Sequence, residues 1–264
     1  MRILNFLFSR SKQEQDKPIR DKLKTRKDFE RVLAEDLDIM ETTKARMDTA
    51  KNINLYMYRS LSYSYILILQ SKYSVDAKID ELRDIYIKSM YYFLQAFNKR
   101  NPIYADILNY VSLGVLLNIP DNNFRQLIDY VKQMDKQAKP SGWTPDLLLW
   151  FMLNSRLKEQ EKLKYAETLA YPRLYNGLYK VIQAPNAAAA KDALNKYLDR
   201  WYNLNSNAPW YNSHLKDNSY RGYWAWEVAA VAKIMHIDDS DLKNNQYYPY
   251  DMVHWADNET TAKE

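Results

Sequence analysis

Apolar side chains at Phe29, Val32, Leu33, Leu37 and Met40 recur at three- and four-residue steps with charged residues between them, the period of an amphipathic helix. Thr25 with Asp28 three positions on resembles a capping box, so a first helix is expected over about 26–48. A second run covers about 52–71, where Leu55, Tyr58, Leu61, Tyr65, Ile68 and Leu69 form one stripe that other tyrosines widen. The polar stretch 71–77 breaks the pattern, and Ile79, Leu82, Ile85, Tyr86, Met90 and Phe93 restart it, which predicts two antiparallel helices. Residues 107–117, stopped at Pro120, and 124–134, preceded by Asp121 and Asn122 as caps, continue the series. No glycine or proline lies between Pro18 and Pro102, as long helices joined by polar turns require.

The strongest break is the segment from Lys139 to Pro145, which holds Pro140, Gly142 and Pro145. It divides the chain into helical subdomains over 20–139 and 140–256, with tails at 1–19 and 257–264. Beyond it, 146–157 and 161–169 read as helices, and Pro185 and Asn186 open a run in which Ala190, Leu194, Tyr197, Leu198 and Trp201 share a face. A further helix over 223–235 carries Ala225, Ala229, Ala230 and Ala232, small enough to let a neighbour approach closely. Sustained alternation and hairpin dipeptides are lacking, and so is any solenoid period, so the expected class is all-α, a multi-helix bundle in two subdomains.

Composition removes most chemistry. The 264 residues include only four glycines, Gly114, Gly142, Gly177 and Gly222, too dispersed for a phosphate loop, a dinucleotide fingerprint or a nucleophile elbow. The absence of cysteine excludes zinc ribbons, thiol nucleophiles and disulfides, and accords with a reducing cytoplasm. His214, His236 and His254 lack zinc-ligand spacing, and Asp238, Asp239 and Asp241 lack the glycine and glutamate of a calcium loop. No metal or cofactor is therefore expected, and Asp239 or Ser240 reads as the cap of a short helix. The opening MRILNFLF is short for a signal-peptide core and reads as a frayed terminus, and no stretch approaches the roughly 20 apolar residues that span a bilayer.

Charge is uneven: residues 1–200 carry 33 basic and 24 acidic side chains, against five and nine in 201–264. Asp238, Asp239, Asp241, Asp251, Asp257 and Glu259 thus form an acidic end on a basic body, opposed locally by Lys243. Lys17, Arg20, Lys22, Lys24, Arg26 and Lys27 support a rival reading as a helical nucleic-acid-binding protein, although Asp16, Asp21, Asp28 and Glu30 interleave with them as on a solvated helix face. The 23 tyrosines suit either an interface or a core with wet rims; for Tyr56, Tyr58, Tyr63 and Tyr65 core packing is expected. The less periodic loop 205–221, with Trp210, Tyr211, His214 and Tyr220, reads as part of a binding site. Glu227 is either a general acid or, the favoured reading, a structural glutamate held by Arg221 or Tyr220.

The sequence YRGYWAWEVAAVAKIMHIDDSDL at 220–242, followed by YYPYDMVHW at 247–255, resembles the carboxy-terminal domain of the PoNi family, immunity proteins to PoNe-type polymorphic DNase toxins. YLDRWY at 197–202, Trp210 and His214 fall where that domain has a similar run, and RDKLKT at 20–25 with the Tyr73-Ser74 step is similar to its amino-terminal domain. One departure is that Asp76 stands where the family's YS-x-G turn has glycine. The resemblance implies a cytoplasmic, helical, non-enzymatic protein that binds and neutralises a cognate DNase delivered by type VI or related secretion. Gly222, Tyr223, Trp224, Trp226 and Glu227 are expected to be architectural. The expected partner surface comprises Asp238, Asp239, Asp241 and Asp251, with Tyr247, Tyr248, Tyr250 and Trp255 as anchors and Trp210 and Tyr220 beside them, because carboxylates are drawn to an electropositive nuclease groove.

Overall fold

The computed structural model describes residues 18–96, 103–138, 142–216 and 218–255. Both expected tails therefore lie largely outside the described residues, as do Lys17, Asp257, Glu259 and the break at 139–141. Among the described residues every regular element is a helix, so the fold is all-α. The chain forms two compact units, one from residues up to 96 together with 209–223, the other from 103–208 together with 224–255.

The first unit contains α1 (Arg26–Thr49), α2 (Leu55–Ser74) and α3 (Ile79–Ala96). The capping box at the start of α1 is present: the Thr25 hydroxyl accepts from the Asp28 N–H at 3.3 Å and the Asp28 carboxylate accepts from the Thr25 N–H at 3.0 Å. The apolar stripes meet in a core of Leu33, Met40, Leu61, Tyr65 and Ile68. On α2 the tyrosines divide by helical position: Tyr65 is buried and Tyr58 half-buried, whereas Tyr56 is 77% exposed and Tyr63 39% exposed, so core packing does not hold for those two.

The polar stretch after residue 70 does not end α2, which continues to Ser74 with Ser71 and Ser74 fully buried. The Ser74 hydroxyl donates to the Gln70 carbonyl at 2.9 Å and the Arg221 carbonyl at 3.0 Å, so a polar residue is satisfied inside the unit. Asp76 then takes a left-handed backbone, φ 77°, a conformation that aspartate tolerates better than most non-glycine residues. Arg20 holds the turn: it pairs with the Asp76 carboxylate at 3.1 Å and donates to the Tyr73 and Ala77 carbonyls at 3.1 and 3.0 Å.

Segment 209–223 completes this unit. Tyr220 packs on Phe29 with ring centroids 5.7 Å apart, and its hydroxyl donates to buried Asp21. Arg221 Nε and Nη2 donate to the two oxygens of Asp36 at 2.6 and 2.8 Å, both side chains being buried.

The second unit contains α4 (Tyr104–Leu116), α5 (Asp121–Gln133) with a π-helical turn at Met134–Ala138, α6 (Leu147–Asn154), α7 (Pro172–Ile182), α8 (Ala187–Leu204), α9 (Trp226–Met235) and α10 (Tyr250–His254). Helix α9 is central, packed against α4, α6, α7, α8 and α10. Val228, Ala229, Ala230 and Val231 have no exposed surface, as the middle of a helix surrounded by neighbours requires, and the alanines let those neighbours come close. Asn186 caps α8, accepting from the Ala189 N–H at 2.9 Å.

Three expectations are corrected here. No helix forms over 162–169, because the backbone groups of that segment serve the ends of α6: Asn154 bonds both the N–H and the carbonyl of Leu163 at 2.9 Å, Thr168 accepts from the Leu147 N–H at 3.0 Å, and the Ala170 N–H reaches Asp146 at 2.7 Å. The helix starts instead at Pro172, the position where a missing N–H costs least, and buries Tyr175, Leu178 and Val181. Asp121 and Asn122 lie inside α5 rather than capping it; Pro120 holds the cap position and Asp121 pairs with Arg156. Helix α9 begins three residues later than expected, at Trp226, with the N–H of the preceding Ala225 donating to the Tyr247 carbonyl at 2.8 Å.

Candidate functional site

Helix α9 stops where His236 adopts a left-handed backbone, φ 52°, with the N–H groups of His236 and Ile237 donating to the Lys233 and Ala232 carbonyls. The turn that follows places the three neighbouring aspartates in different surroundings. Asp238 is exposed and accepts from Lys191 Nζ at 2.8 Å and the Ser240 N–H at 3.1 Å, bonds that hold its carboxyl well below the usual range. Asp241, also exposed, shares that lysine at 3.2 Å and accepts from Asn195 at 3.1 Å; partial desolvation pushes its carboxyl up, but these bonds outweigh it and the net shift is downward. Asp239 is 2% exposed and accepts from the Tyr248 hydroxyl at 2.6 Å and His254 Nε2 at 2.8 Å, tying the turn to α10; it occupies the cap position of the short turn Ser240–Leu242 without capping it.

The aromatic residues sort in the same way. Tyr248 is buried, and Trp255 donates its indole N–H to the Leu116 carbonyl at 2.9 Å. Half-buried Tyr247 stacks on Tyr202 with centroids 5.3 Å apart and planes 5° from parallel, and half-buried Tyr250 lies 4.4 Å from the His254 ring. Asp251 is exposed. In the α9–α10 region, then, Asp238, Asp241 and Asp251 are exposed, Tyr247, Tyr250 and Trp255 are half-buried, and Asp239 and Tyr248 are buried. Trp210 and Tyr220 belong to the other unit, where Tyr220 is buried and Trp210 packs 5.3 Å from Tyr223. Lys191 and Asn195, which the sequence reading did not single out, are the partners of the exposed aspartates. Their four-residue spacing puts them on one face of α8, but nothing local shows what that face meets.

Gly222 has φ 106°, a backbone that side chains rarely adopt, and the Tyr223 hydroxyl accepts from the Ser213 hydroxyl and the His214 N–H at 3.2 and 3.0 Å. Trp224 and Trp226 are buried in the second unit. Glu227 is held neither by Arg221 nor by Tyr220, which bond Asp36 and Asp21; it accepts instead from the Trp201 indole N–H at 2.6 Å. Burial pushes its carboxyl up, and its charge adds to the burial that raises the hydroxyls of Tyr175 and Tyr197 well above their ordinary value. A cavity of about 900 Å³ in this unit is lined by α7 and α8 and not by Glu227.

The basic stretch around the start of α1 is partly used internally. Arg20 bonds the end of α2 and Arg26 donates to the Val75 carbonyl at 3.1 Å. No helix among the described residues is long and apolar enough to cross a membrane.

Two family models match the chain: PoNe immunity protein (PoNi), N-terminal, over residues 11–129, and PoNe immunity proteins (PoNi), C-terminal, over residues 144–252. The chain belongs to the PoNi family. The C-terminal PoNi model contains the whole α9 motif and most of the α9–α10 region, and the N-terminal model contains the Arg20–Asp76 turn. No curated protein matches the chain in sequence. Among solved structures the chain is similar to the protein PA2201 from Pseudomonas aeruginosa at 20% identity, covering 93% of this chain and 92% of that one with a TM-score of 0.66. That likeness shows a shared fold.

Proposed function

We propose that this chain is an immunity protein that binds a cognate PoNe-type DNase toxin and neutralises it by occlusion, making and breaking no covalent bond. In this reading it acts in the cytoplasm of the producing cell against a toxin delivered by type VI or related secretion, through amino- and carboxy-terminal domains dividing near residues 139–140. The supporting observation is the match of both PoNi models, end to end over most of the chain. In this reading the toxin meets Asp238 and Asp241 on the turn after α9 and Asp251 and the half-buried Tyr250 on α10, a turn and helix tied together by the internal Asp239–Tyr248 and Asp239–His254 bonds. Because Lys191 neutralises part of the charge of Asp238 and Asp241, the surface steers a basic groove modestly.

The test is a gel nuclease assay with the toxin encoded beside this chain. Excess chain is expected to abolish DNA cleavage, and undiminished cleavage overturns the reading. Reversing Asp238 and Asp241 to lysine is expected to slow association and flatten its salt dependence. Unchanged kinetics would place the interface elsewhere.

A further inference from the structure

Helices α7 and α8 flank the cavity of about 900 Å³, which lies wholly within the second unit. Its walls follow from helical spacing. Arg173, Gly177 and Lys180 form one line on α7, and Ala193, Lys196, Arg200 and Leu204 form one on α8. Gly177 permits the close approach of the two helices: a Cβ there would stand 2.6 Å from Cδ2 of Tyr197, a buried ring. Leu174, Gly177, Tyr197 and Leu204 make the cavity partly apolar, while the cations reach its exposed edge.

Charge at the edge is unbalanced. Lys196 is engaged by Asp192 at 2.7 Å, whereas the side chains of Arg173, Lys180 and Arg200 make no hydrogen bond or ion pair among the described residues, and Asp199 is the one remaining lining carboxylate. We propose that this cleft docks an acidic segment of a protein partner, one apolar side chain entering the cavity and flanking carboxylates meeting Arg173, Lys180 and Arg200. Charge complementarity selects carboxylates, and the apolar lining selects a side chain between them. Nucleic acid fits less well, because Asp192 and Asp199 interrupt the positive edge that a continuous polyphosphate requires. The site is distinct from the α9–α10 surface, and its assignment does not depend on the nuclease reading.

The test uses fluorescence anisotropy on the full chain with three labelled probes: an octapeptide of Glu and Asp around a central Leu-Phe, its Gln and Asn counterpart, and a short DNA duplex. The acidic peptide is expected to bind saturably and to weaken with salt. The neutral peptide should bind at least about tenfold more weakly, as should the acidic peptide to Arg173→Glu/Lys180→Glu/Arg200→Glu. All three substitutions are at exposed positions, circular dichroism reports whether that variant keeps its helices, and the neutral-peptide comparison needs no variant. Absence of acidic-peptide binding, equal binding of the neutral peptide, equal binding by the folded variant, or tighter binding of the duplex lost in that variant would each overturn the proposal.

Discussion

Replacing Asp36 with leucine would leave Arg221 in a pocket where its partner no longer accepts. Two guanidinium nitrogens donate to that carboxylate at 2.6 and 2.8 Å, and the two residues are 2% and 9% exposed, so both charges have left water. Removing one member of a buried pair costs roughly 3–5 kcal/mol because the other charge is stranded, while replacing both with apolar groups of similar volume is often neutral. Arg221 Nη1 also donates to the Asn218 and Tyr220 carbonyls at 3.1 and 3.4 Å, so Asp36→Leu is expected near the lower end, about 3 kcal/mol. Arg221→Met strands a nearly inaccessible carboxylate and is expected near the upper end, about 5 kcal/mol. A urea-denaturation cycle including the double variant measures the coupling, and the double loss should fall short of the summed single losses by at least about 2 kcal/mol. Limited proteolysis of segment 209–223 should accelerate in either single variant. Single losses below about 1 kcal/mol, or strict additivity, would refute the reasoning and leave apolar contacts such as Tyr220 on Phe29 holding the segment.

Two further outcomes can be checked by thermal or chemical denaturation. Asp76→Ala, which loses the Arg20 pair and keeps a strained φ of 77°, is expected to destabilise by roughly 1–2 kcal/mol, whereas Asp76→Gly should stay within about 0.5 kcal/mol of the parent because glycine relieves the backbone. Equal losses would show that the ion pair and not the backbone matters there. Burial raises the Glu227 carboxyl, so the folded state holds that proton more tightly than the unfolded chain; its stabilising effect is present below the ordinary value of 4.5 and is lost as pH rises through the higher folded value. Glu227→Gln, still able to accept from Trp201, should therefore gain stability relative to the parent at neutral pH and lose that advantage near about pH 4. A gain that grows on acidification would contradict the sign.

Helix type and most helix positions were written in local spacing. The stripe from Phe29 to Met40, the Thr25 and Asn186 caps and the small residues of α9 each act within four or five positions of the chain, and such patterns survive without knowledge of any neighbour. The motif at 220–242 was equally legible and carried the family. Tertiary structure alone decided which polar groups are internal. Asp21 meets Tyr220, Asp135 meets Trp143 and Trp150, Asp146 meets Tyr104, Glu227 meets Trp201 and Asp239 meets Tyr248, so three tyrosines and three tryptophans supply neutral donors to buried carboxylates. Partners as far apart as Asp21 and Tyr220 are set by how helices pack, and a buried carboxylate needs a donor wherever packing places one. That is why Asp239 and its exposed neighbours Asp238 and Asp241 look alike in sequence and differ in space: the residue pattern determines what most segments become, and the packing determines which of their charges still face water.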